Sequence, residues 1–294
     1  MGNDDRMTTI GATFTPFYPP ERLPAVARAA EVAGLEELWL WEDCFREGGV
    51  STMAVALALT ERLRVGIGIL PVPLRNVAIT AMEVATLERM FPGRPIIGVG
   101  HGVLSWMGQI GARVESPMTL LREYVDALRA LLRGETLTIS GRYLSLDDVA
   151  LDFPPTTALR IHAAAERPKT LRLSGEIADG TVLTGGTTPE QVREAVRIID
   201  EGRAAAGRTD THSVVVYLAV ATGPDGPARL AAQLDYFGME EMFAIAGDEQ
   251  AIAEVVNTLA KAGATSVILQ PPRDEPDPEG FVTFVAEKVR PLVA

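Results

Sequence analysis

Three neighbouring segments decide the fold: Arg64–Leu70 reads RVGIGIL, Val77–Met90 reads VAITAMEVATLERM and Pro95–Gly100 reads PIIGVG. The first and third are short, apolar and bounded by turn residues, which is typical of buried strands, whereas the second has the length of a helix. A strand, a helix and another strand in this order predict two parallel strands joined by a right-handed crossover.

The same alternation extends in both directions along the chain. The predicted strands are Thr9–Phe14, Glu37–Trp41, Arg64–Leu70, Pro95–Gly100, Leu159–Ala165, Gly180–Thr184, Ser213–Ala221 and Ser266–Leu269. Eight strands, each followed by helical segments, in 294 residues predict a single (β/α)₈ TIM barrel domain over residues 1–294. The alternative is a doubly wound open sheet, which is disfavoured because no G-x-G-x-x-G follows the first strand.

One segment breaks the alternation. Gly134–Pro155 predicts a hairpin with a turn near Ser140-Gly141, and we interpret the region 134–157 as an insertion into the barrel. The preceding helix is expected to begin at Ser116-Pro117, with the serine as N-cap and the proline at the first helical position. The residues from Met1 to Arg6 are expected to precede the first core segment.

The composition narrows the class of protein. The chain carries 27 Lys+Arg against 39 Asp+Glu, a net charge of -12, so a nucleic acid or an anionic membrane surface is not expected as a partner. A single cysteine excludes an internal disulfide and a cysteine-ligated zinc site, and the three histidines lack metal-ligand spacing. No signal peptide or membrane span is evident, so we expect a cytoplasmic protein. Frequent Arg, Ala and Gly indicate a bacterial source.

Unusual residues follow several predicted strands. Because the active sites of (β/α)₈ barrels lie at the C-terminal ends of the strands, these residues are expected to surround the pocket mouth. They are Phe14 with Pro16-Phe17-Tyr18 after strand one, Trp41 to Cys44 after strand two, Gly68-Ile69 and Arg75 after strand three, Gly100-His101-Gly102 and Trp106 after strand four, Ala163 to Arg167 after strand five and Thr184-Gly185-Gly186 after strand six.

Four segments in order resemble the luciferase-like flavin- and deazaflavin-dependent oxidoreductases, in particular the subgroup of methylenetetrahydromethanopterin reductase. They are GLEELWLWED at Gly34–Asp43, RNVAITAMEVATLERMFPGRPIIGVGHG at Arg75–Gly102, RPKTLRLSGEIADGTVL at Arg167–Leu183 and FAIAGDEQAIAEVVNTLAKAGATSVIL at Phe243–Leu269. The resemblance implies a bacterial-luciferase-like barrel, a homodimer and a flat tricyclic cofactor across its mouth, either coenzyme F420 or FMN.

The resemblance also implies positions for that cofactor. Gly68-Ile69 matches the place of a non-prolyl cis peptide behind the central ring, and the alternative is a glycine that eases barrel packing. The other implied contacts are Gly100, His101, Gly102, Val103, Ala163, Ala164, Ala165 and Arg167. Arg167 suits a phosphate. Glu166 beside it would repel one, and the alternative for these two is a solvated ion pair.

The segment Glu42-Asp43-Cys44 departs from the resembled family, which carries Asp-His here. A carboxyl group can replace an imidazole as a proton donor only if burial raises its pKa, so Glu42 and Asp43 are the candidate catalytic residues. They could instead bind substrate or orient a loop. Cys44 is expected to be a small buried hydrophobe. Phe14, Trp41 and Trp106 are candidate walls of the substrate pocket, and Trp41 could instead belong to the core with Trp39.

The sequence thus favours an oxidoreductase that transfers a hydride between coenzyme F420 and a small organic substrate. One alternative is an FMN-dependent monooxygenase that uses oxygen and a partner flavin reductase. A barrel that binds flavin without turnover is a further alternative, because the Asp-His pair is missing.

Overall fold

The computed structural model describes residues 8–294, so the first six residues discussed above lie outside the described part. Its strands are β1 Thr9–Thr13, β2 Glu37–Leu40, β3 Arg64–Pro71, β4 Pro95–Gly100, β5 Leu137–Ser140, β6 Ser145–Val149, β7 Ile161–Ala164, β8 Gly180–Leu183, β9 Ser213–Ala221, β10 Ala244–Ala246 and β11 Ser266–Gln270. Its α-helices are α1 Leu23–Ala33, α2 Gly49–Ala58, α3 Val77–Met90, α4 Leu104–Gln109, α5 Pro117–Leu132, α6 Pro168–Ile177, α7 Pro189–Ala205, α8 Gly226–Phe237, α9 Glu249–Ala262 and α10 Pro278–Phe284.

The barrel predicted from the sequence is confirmed. Eight parallel strands follow one another in the order β1-β2-β3-β4-β7-β8-β9-β11, and β11 pairs with β1 to close the ring. The helices pack outside this ring. No helix formed by residues 8–294 is long and apolar enough to cross a membrane.

The predicted hairpin is also present, as the antiparallel pair β5-β6 between α5 and β7. The expected start of α5 is confirmed, with Ser116 at the N-cap position and Pro117 as the first helical residue. The Ser116 hydroxyl makes no capping hydrogen bond and lies 2.8 Å from the hydroxyl of Thr119. Two short elements were not predicted. The helix α4 covers Trp106, which the sequence placed in a loop, and β10 adds to the end of β9.

Two apolar layers hold the barrel. The larger lies between strands and helices, and the smaller fills the interior of the ring with Trp39, Val182, Val215, Tyr217 and Ile268. Trp39 is fully buried, as expected, and its indole N–H donates to a carboxylate oxygen of Glu37 at 2.8 Å.

Two buried histidines occupy the N-terminal end of the ring. His162 Nε2 lies 2.7 Å from Ser213 Oγ, and His212 Nε2 lies 2.8 Å from Thr181 Oγ1. The Nδ1 atom of each ring is buried without a partner among the described residues. Burial lowers the pKa of His162 to about 4 and the pKa of His212 to about 3, so both rings are neutral at pH 7.

These two histidines predict a loss of stability in mild acid. In the unfolded chain both histidines have a pKa of ~6.5. Below that pH the unfolded state therefore binds protons that the folded state, with its lower pKa values, does not bind. The stabilisation is complete above pH ~6.5 and declines as pH falls toward the folded pKa values, by up to about 1.4 kcal/mol per pH unit for each ring. Urea unfolding at pH 7.5 and 5.5 measures this decline, and His162→Gln is expected to reduce it. Equal stability at the two pH values would contradict the assignment.

Candidate active site

The C-terminal ends of the strands bring together most of the residues singled out in the sequence. The backbone contains a cis peptide at Gly68-Ile69, the position the resemblance implied, and another at Cys44-Phe45. The pairing of β3 with β4 shifts register between Ile67 and Leu70, so Ile69 bulges out of the ladder. A β-carbon added to Gly100 would lie 3.0 Å from the Ile69 side chain and 3.2 Å from Ala164, so these three residues are neighbours.

Aromatic side chains lie directly beneath this bulge. The ring of Tyr217 packs edge-on against Trp39 and Trp41, with centroid separations of 6.0 Å in both pairs. Its hydroxyl lies 3.5 Å from the carbonyl oxygen of Gly68. Burial raises the pKa of Tyr217, so the phenol is neutral. Sequence reasoning missed this residue. No alternation in the sequence marked it, because Ser213–Ala221 is apolar on both faces of the strand.

Glu42 is held in an ion-pair network. Its carboxylate accepts hydrogen bonds from Arg75 Nε at 3.1 Å and Nη2 at 2.6 Å, and from the backbone N–H of Gly49 at 2.8 Å. Arg75 also donates to Glu83 at 3.0 Å, while Asn76 caps α3. Both Glu42 oxygens are therefore occupied, and the pair joins the loop after β2 to the loop after β3.

Asp43 has a different environment. It forms no ion pair within 4.0 Å among residues 8–294, and burial raises the pKa of its carboxyl, with an opposing contribution from Arg46. Cys44 is half-buried, and burial together with the two preceding carboxylates raises the pKa of its thiol. A thiol in this environment is not activated as a nucleophile. In the loop after β2, burial raises the pKa of both Asp43 and Glu47, and a raised pKa is what a carboxyl group needs to donate a proton near neutral pH.

The remaining predicted contacts are distributed around the mouth. His101 precedes Gly102, which has φ +68°, and burial lowers the pKa of His101. Ala163 and Ala165 are buried, and Ala164 is partly exposed. Glu166 and Arg167 form no ion pair with each other. Glu166 instead accepts from the Thr184 hydroxyl at 2.9 Å, and Arg167 is exposed at the start of α6.

Three predicted residues differ in how much they can contact a ligand. Phe14 exposes 1% of its surface and packs against Tyr18 in the main core. Trp106 is partly exposed in α4, and Val103, which precedes that helix, is 46% exposed. Trp41 is partly exposed above Tyr217. Trp41 therefore combines the two roles that the sequence offered, since it packs on the interior layer and faces the mouth.

Several buried polar atoms near the strand ends have no hydrogen-bond partner among the described residues. They are Thr13 Oγ1, Thr15 Oγ1, Trp41 Nε1 and His101 Nδ1. An unpaired buried polar group costs about 1–3 kcal/mol, so such groups favour a ligand that completes their bonding. A bulging backbone, small residues and unpaired polar atoms together fit a flat ring system with polar edges.

Comparisons with known proteins agree with this geometry. The family model of the luciferase-like monooxygenases matches residues 4–251. A 5,10-methylenetetrahydromethanopterin reductase from Methanolobus tindarius is 30% identical over 228 residues, covering 77% of this chain and 69% of that protein. An F420-dependent glucose-6-phosphate dehydrogenase from Microbacterium testaceum is 30% identical over 229 residues, covering 72% and 68%. The structure of the coenzyme F420-dependent tetrahydromethanopterin reductase from Methanopyrus kandleri superposes with a TM-score of 0.84 at 22% identity, covering 98% of this chain and 100% of that one.

The contact between Gly68 and Tyr217 gives a test of the geometry beneath the bulge. A β-carbon at position 68 would lie 2.0 Å from the Tyr217 hydroxyl oxygen, so Gly68→Ala is expected to lower the free energy of unfolding by about 1–3 kcal/mol. Removing the hydroxyl by Tyr217→Phe should restore part of that loss. The restoration is partial because the added carbon would also lie 3.1 Å from Trp39.

Urea unfolding of the two single variants and the double variant measures this coupling. If the double variant's change in the free energy of unfolding equalled the sum of the two single changes, the Tyr217 hydroxyl and a side chain at position 68 would not compete for the same space.

Proposed function

We propose a function from one premise: the chain belongs to the family of luciferase-like monooxygenases. Within that family the protein is proposed to be an oxidoreductase that transfers a hydride between coenzyme F420 and a small organic substrate. One observation carries the proposal. The mouth of the barrel combines the backbone bulge at Gly68-Ile69, the small residues Gly100 and Ala164, and the half-buried carboxyl group of Asp43. Relatives named for the use of F420 support the choice of cofactor.

The proposed contacts to the cofactor divide into two sets. The ring would lie against Gly68, Ile69, Gly100 and Ala164, and the buried atoms of Trp41 and His101 would bond its polar edge. The rest of the cofactor would contact Gly102, Val103 and Arg167, whereas Ala163 and Ala165 are buried in the layer between strands and helices and are not available to it. Arg167 suits the phosphate because its guanidinium is exposed and Glu166 is directed toward Thr184.

When bound, F420 would supply the hydride to the substrate, or accept it in the reverse direction. The chain would supply the proton. In the reduction of a carbonyl or imine, the carboxyl group of Asp43 would donate its proton to the substrate heteroatom. When an alcohol or amine is oxidised, the carboxylate of Asp43 removes that proton. Glu42 positions the loop through Arg75 and Gly49, and the apolar walls exclude water from the reacting atoms.

The assembly and location of the protein are further proposals. Apolar side chains are exposed on consecutive helices, with Val55 at 43% on α2 and Ile79 and Met82 at 50% and 55% on α3, which supports a homodimer. Analytical sedimentation of the purified protein measures its oligomeric state. The single cysteine and the frequent arginine support a cytoplasmic bacterial protein.

Titration of the purified protein with F420 and, in parallel, with FMN tests the cofactor. We expect saturable binding of F420, followed by its fluorescence, and binding of FMN at least about tenfold weaker. Tight binding of FMN alone would replace the proposal with an oxygen-dependent reaction fed by a flavin reductase. Binding of neither would leave a barrel without this redox function.

Substitution of the two adjacent carboxyl groups tests their roles. Asp43→Asn is expected to lower kcat by about 10²–10⁴-fold while the affinity for F420 and the midpoint of unfolding stay close to those of the unmodified protein. The unmodified enzyme should reduce substrate more slowly as pH rises through the pKa of Asp43, and the variant should lose that dependence.

Glu42→Gln is the matched control, because it removes the charge that pairs with Arg75 and leaves Glu83 as the remaining charged partner of that arginine. We expect it to lower thermal stability and to leave the shape of the pH profile unchanged. If Asp43→Asn retains full turnover, Asp43 is not the proton donor.

A further inference from the structure

We propose that an aromatic cluster on the opposite side of the mouth from the proposed cofactor contacts binds the substrate, and that the substrate is an organic anion with a flat apolar body. The cluster consists of Phe17, Tyr236 and Phe237, with Arg46 and Arg273 on top of it. This inference rests on the proposed function, whose site it completes.

The three rings come from two separate loops. Phe17 follows β1, while Tyr236 and Phe237 end α8, which follows β9. Phe17 packs at 5.9 Å from Tyr236 and 6.2 Å from Phe237, and the latter two are 5.1 Å apart, all edge-on. Tyr236 is 50% and Phe237 is 47% exposed. Because Tyr236 and Phe237 are about half exposed, part of their apolar ring surface is available to a flat ligand.

Each arginine lies over one ring of the cluster. The guanidinium of Arg46 is 4.6 Å from the centre of Phe17, and that of Arg273 is 4.2 Å from the centre of Tyr236. A guanidinium in this position is attracted by the ring face and still presents its N–H groups outward. Arg46 uses one of them for the carbonyl oxygen of Pro16.

These two cations are not neutralised by a nearby carboxylate. Within residues 8–294 neither forms an ion pair within 4.0 Å, although the chain has more acidic than basic residues. Asp274 and Glu275 follow Arg273 in the sequence. They form ion pairs with Arg229 instead, at 3.3 Å and 2.9 Å respectively. Burial raises the pKa of both Asp43 and Glu47, and Arg46 is close enough to oppose part of that rise without forming an ion pair with either carboxyl group. Two available guanidinium groups on one apolar surface are complementary to a carboxylate or phosphate.

The strand order separates this cluster from the cofactor contacts. The cluster belongs to the contiguous arc β9-β11-β1-β2, whereas the proposed contacts follow β3, β4 and β7. Asp43 lies where the two arcs meet, because its backbone carbonyl accepts from the N–H of Arg46 at 2.8 Å. A substrate held by the cluster would therefore present its reactive carbon between the cofactor and the proposed proton donor.

The two features of the cluster select different parts of a ligand. The rings favour apolar area, at about 25 cal/mol per Å² buried, and the arginines favour negative charge. A neutral sugar or a neutral hydrocarbon would leave the two cations unpaired. A protein partner needs about 800 Å² on each side, far more than three half-exposed rings provide.

Binding of a matched pair of probes to the full-length protein tests this inference. 2-Naphthoate combines the flat apolar body with a carboxylate, 2-naphthalenemethanol lacks the charge, and acetate lacks the rings. We expect saturable binding of naphthoate in calorimetry, with the alcohol and acetate at least about tenfold weaker. Arg46→Gln and Arg273→Gln should each weaken naphthoate binding about five- to twentyfold. Arg28→Gln, which changes an exposed and likewise unpaired arginine on α1, should have no effect.

Titration of every variant with F420 separates this inference from the proposed function. Normal F420 affinity with weakened naphthoate binding supports it. Loss of F420 affinity in the Arg46 and Arg273 variants would assign these residues to the cofactor and overturn it. Equal binding of the alcohol and naphthoate, or no saturable naphthoate binding at millimolar concentration, would also overturn it. If the unmodified protein binds naphthoate but not F420, the anion site stands and the proposed function fails.

Discussion

The indole of Trp39 is the packing constraint on which the rest of the barrel depends. It fills the interior of the ring so completely that a β-carbon added to Gly66 would lie 2.4 Å from it. Gly66 and Gly68 are therefore needed on β3, where the strand must pass directly over the indole. The N–H of the buried indole donates to the buried carboxylate of Glu37, and Glu37 is in turn paired with Arg64. Removal of any one of these groups would leave another buried and unpaired.

This constraint extends upward into the active site. Trp39 supports Tyr217, Tyr217 lies under the carbonyl of Gly68, and the following residue, Ile69, forms the surface on which a flat cofactor would rest. The site is thus built on strands and on the interior layer rather than on mobile loops alone. Such a foundation holds reacting groups in place more precisely than loops do.

The fold could be predicted from the sequence because the alternation of strands and helices is a local signal. RVGIGIL and PIIGVG became β3 and β4, and the hairpin near Ser140 was visible from its turn residues. The short α4 and β10 gave too few residues for a periodic pattern. The inner and outer faces of β9 could not be assigned, since SVVVYLAVA is apolar on both, as parallel strands are. Tyr217 was overlooked for that reason.

The site was harder to predict because its chemistry depends on contacts between distant segments. The sequence places Glu42 and Asp43 side by side and cannot distinguish them. Only the meeting of Glu42 with Arg75, 33 positions away, makes one carboxylate a structural anchor and leaves the other without an ion pair among residues 8–294. The position of two arginines above Phe17 and Tyr236 likewise depends on contacts between distant segments.

The exposure of Tyr236 and Phe237 has a consequence for how new specificities could arise in this protein. Side chains that are half exposed and removed from the packed layers can be replaced at a change in stability of typically about ±0.5 kcal/mol. The residues beneath the bulge, such as Trp39 and Gly66, have no such freedom. Packing therefore fixes some residues of the barrel, whereas others can be replaced with little change in its stability. Directed evolution that starts from the end of α8 could explore many substrates without losing the folded enzyme.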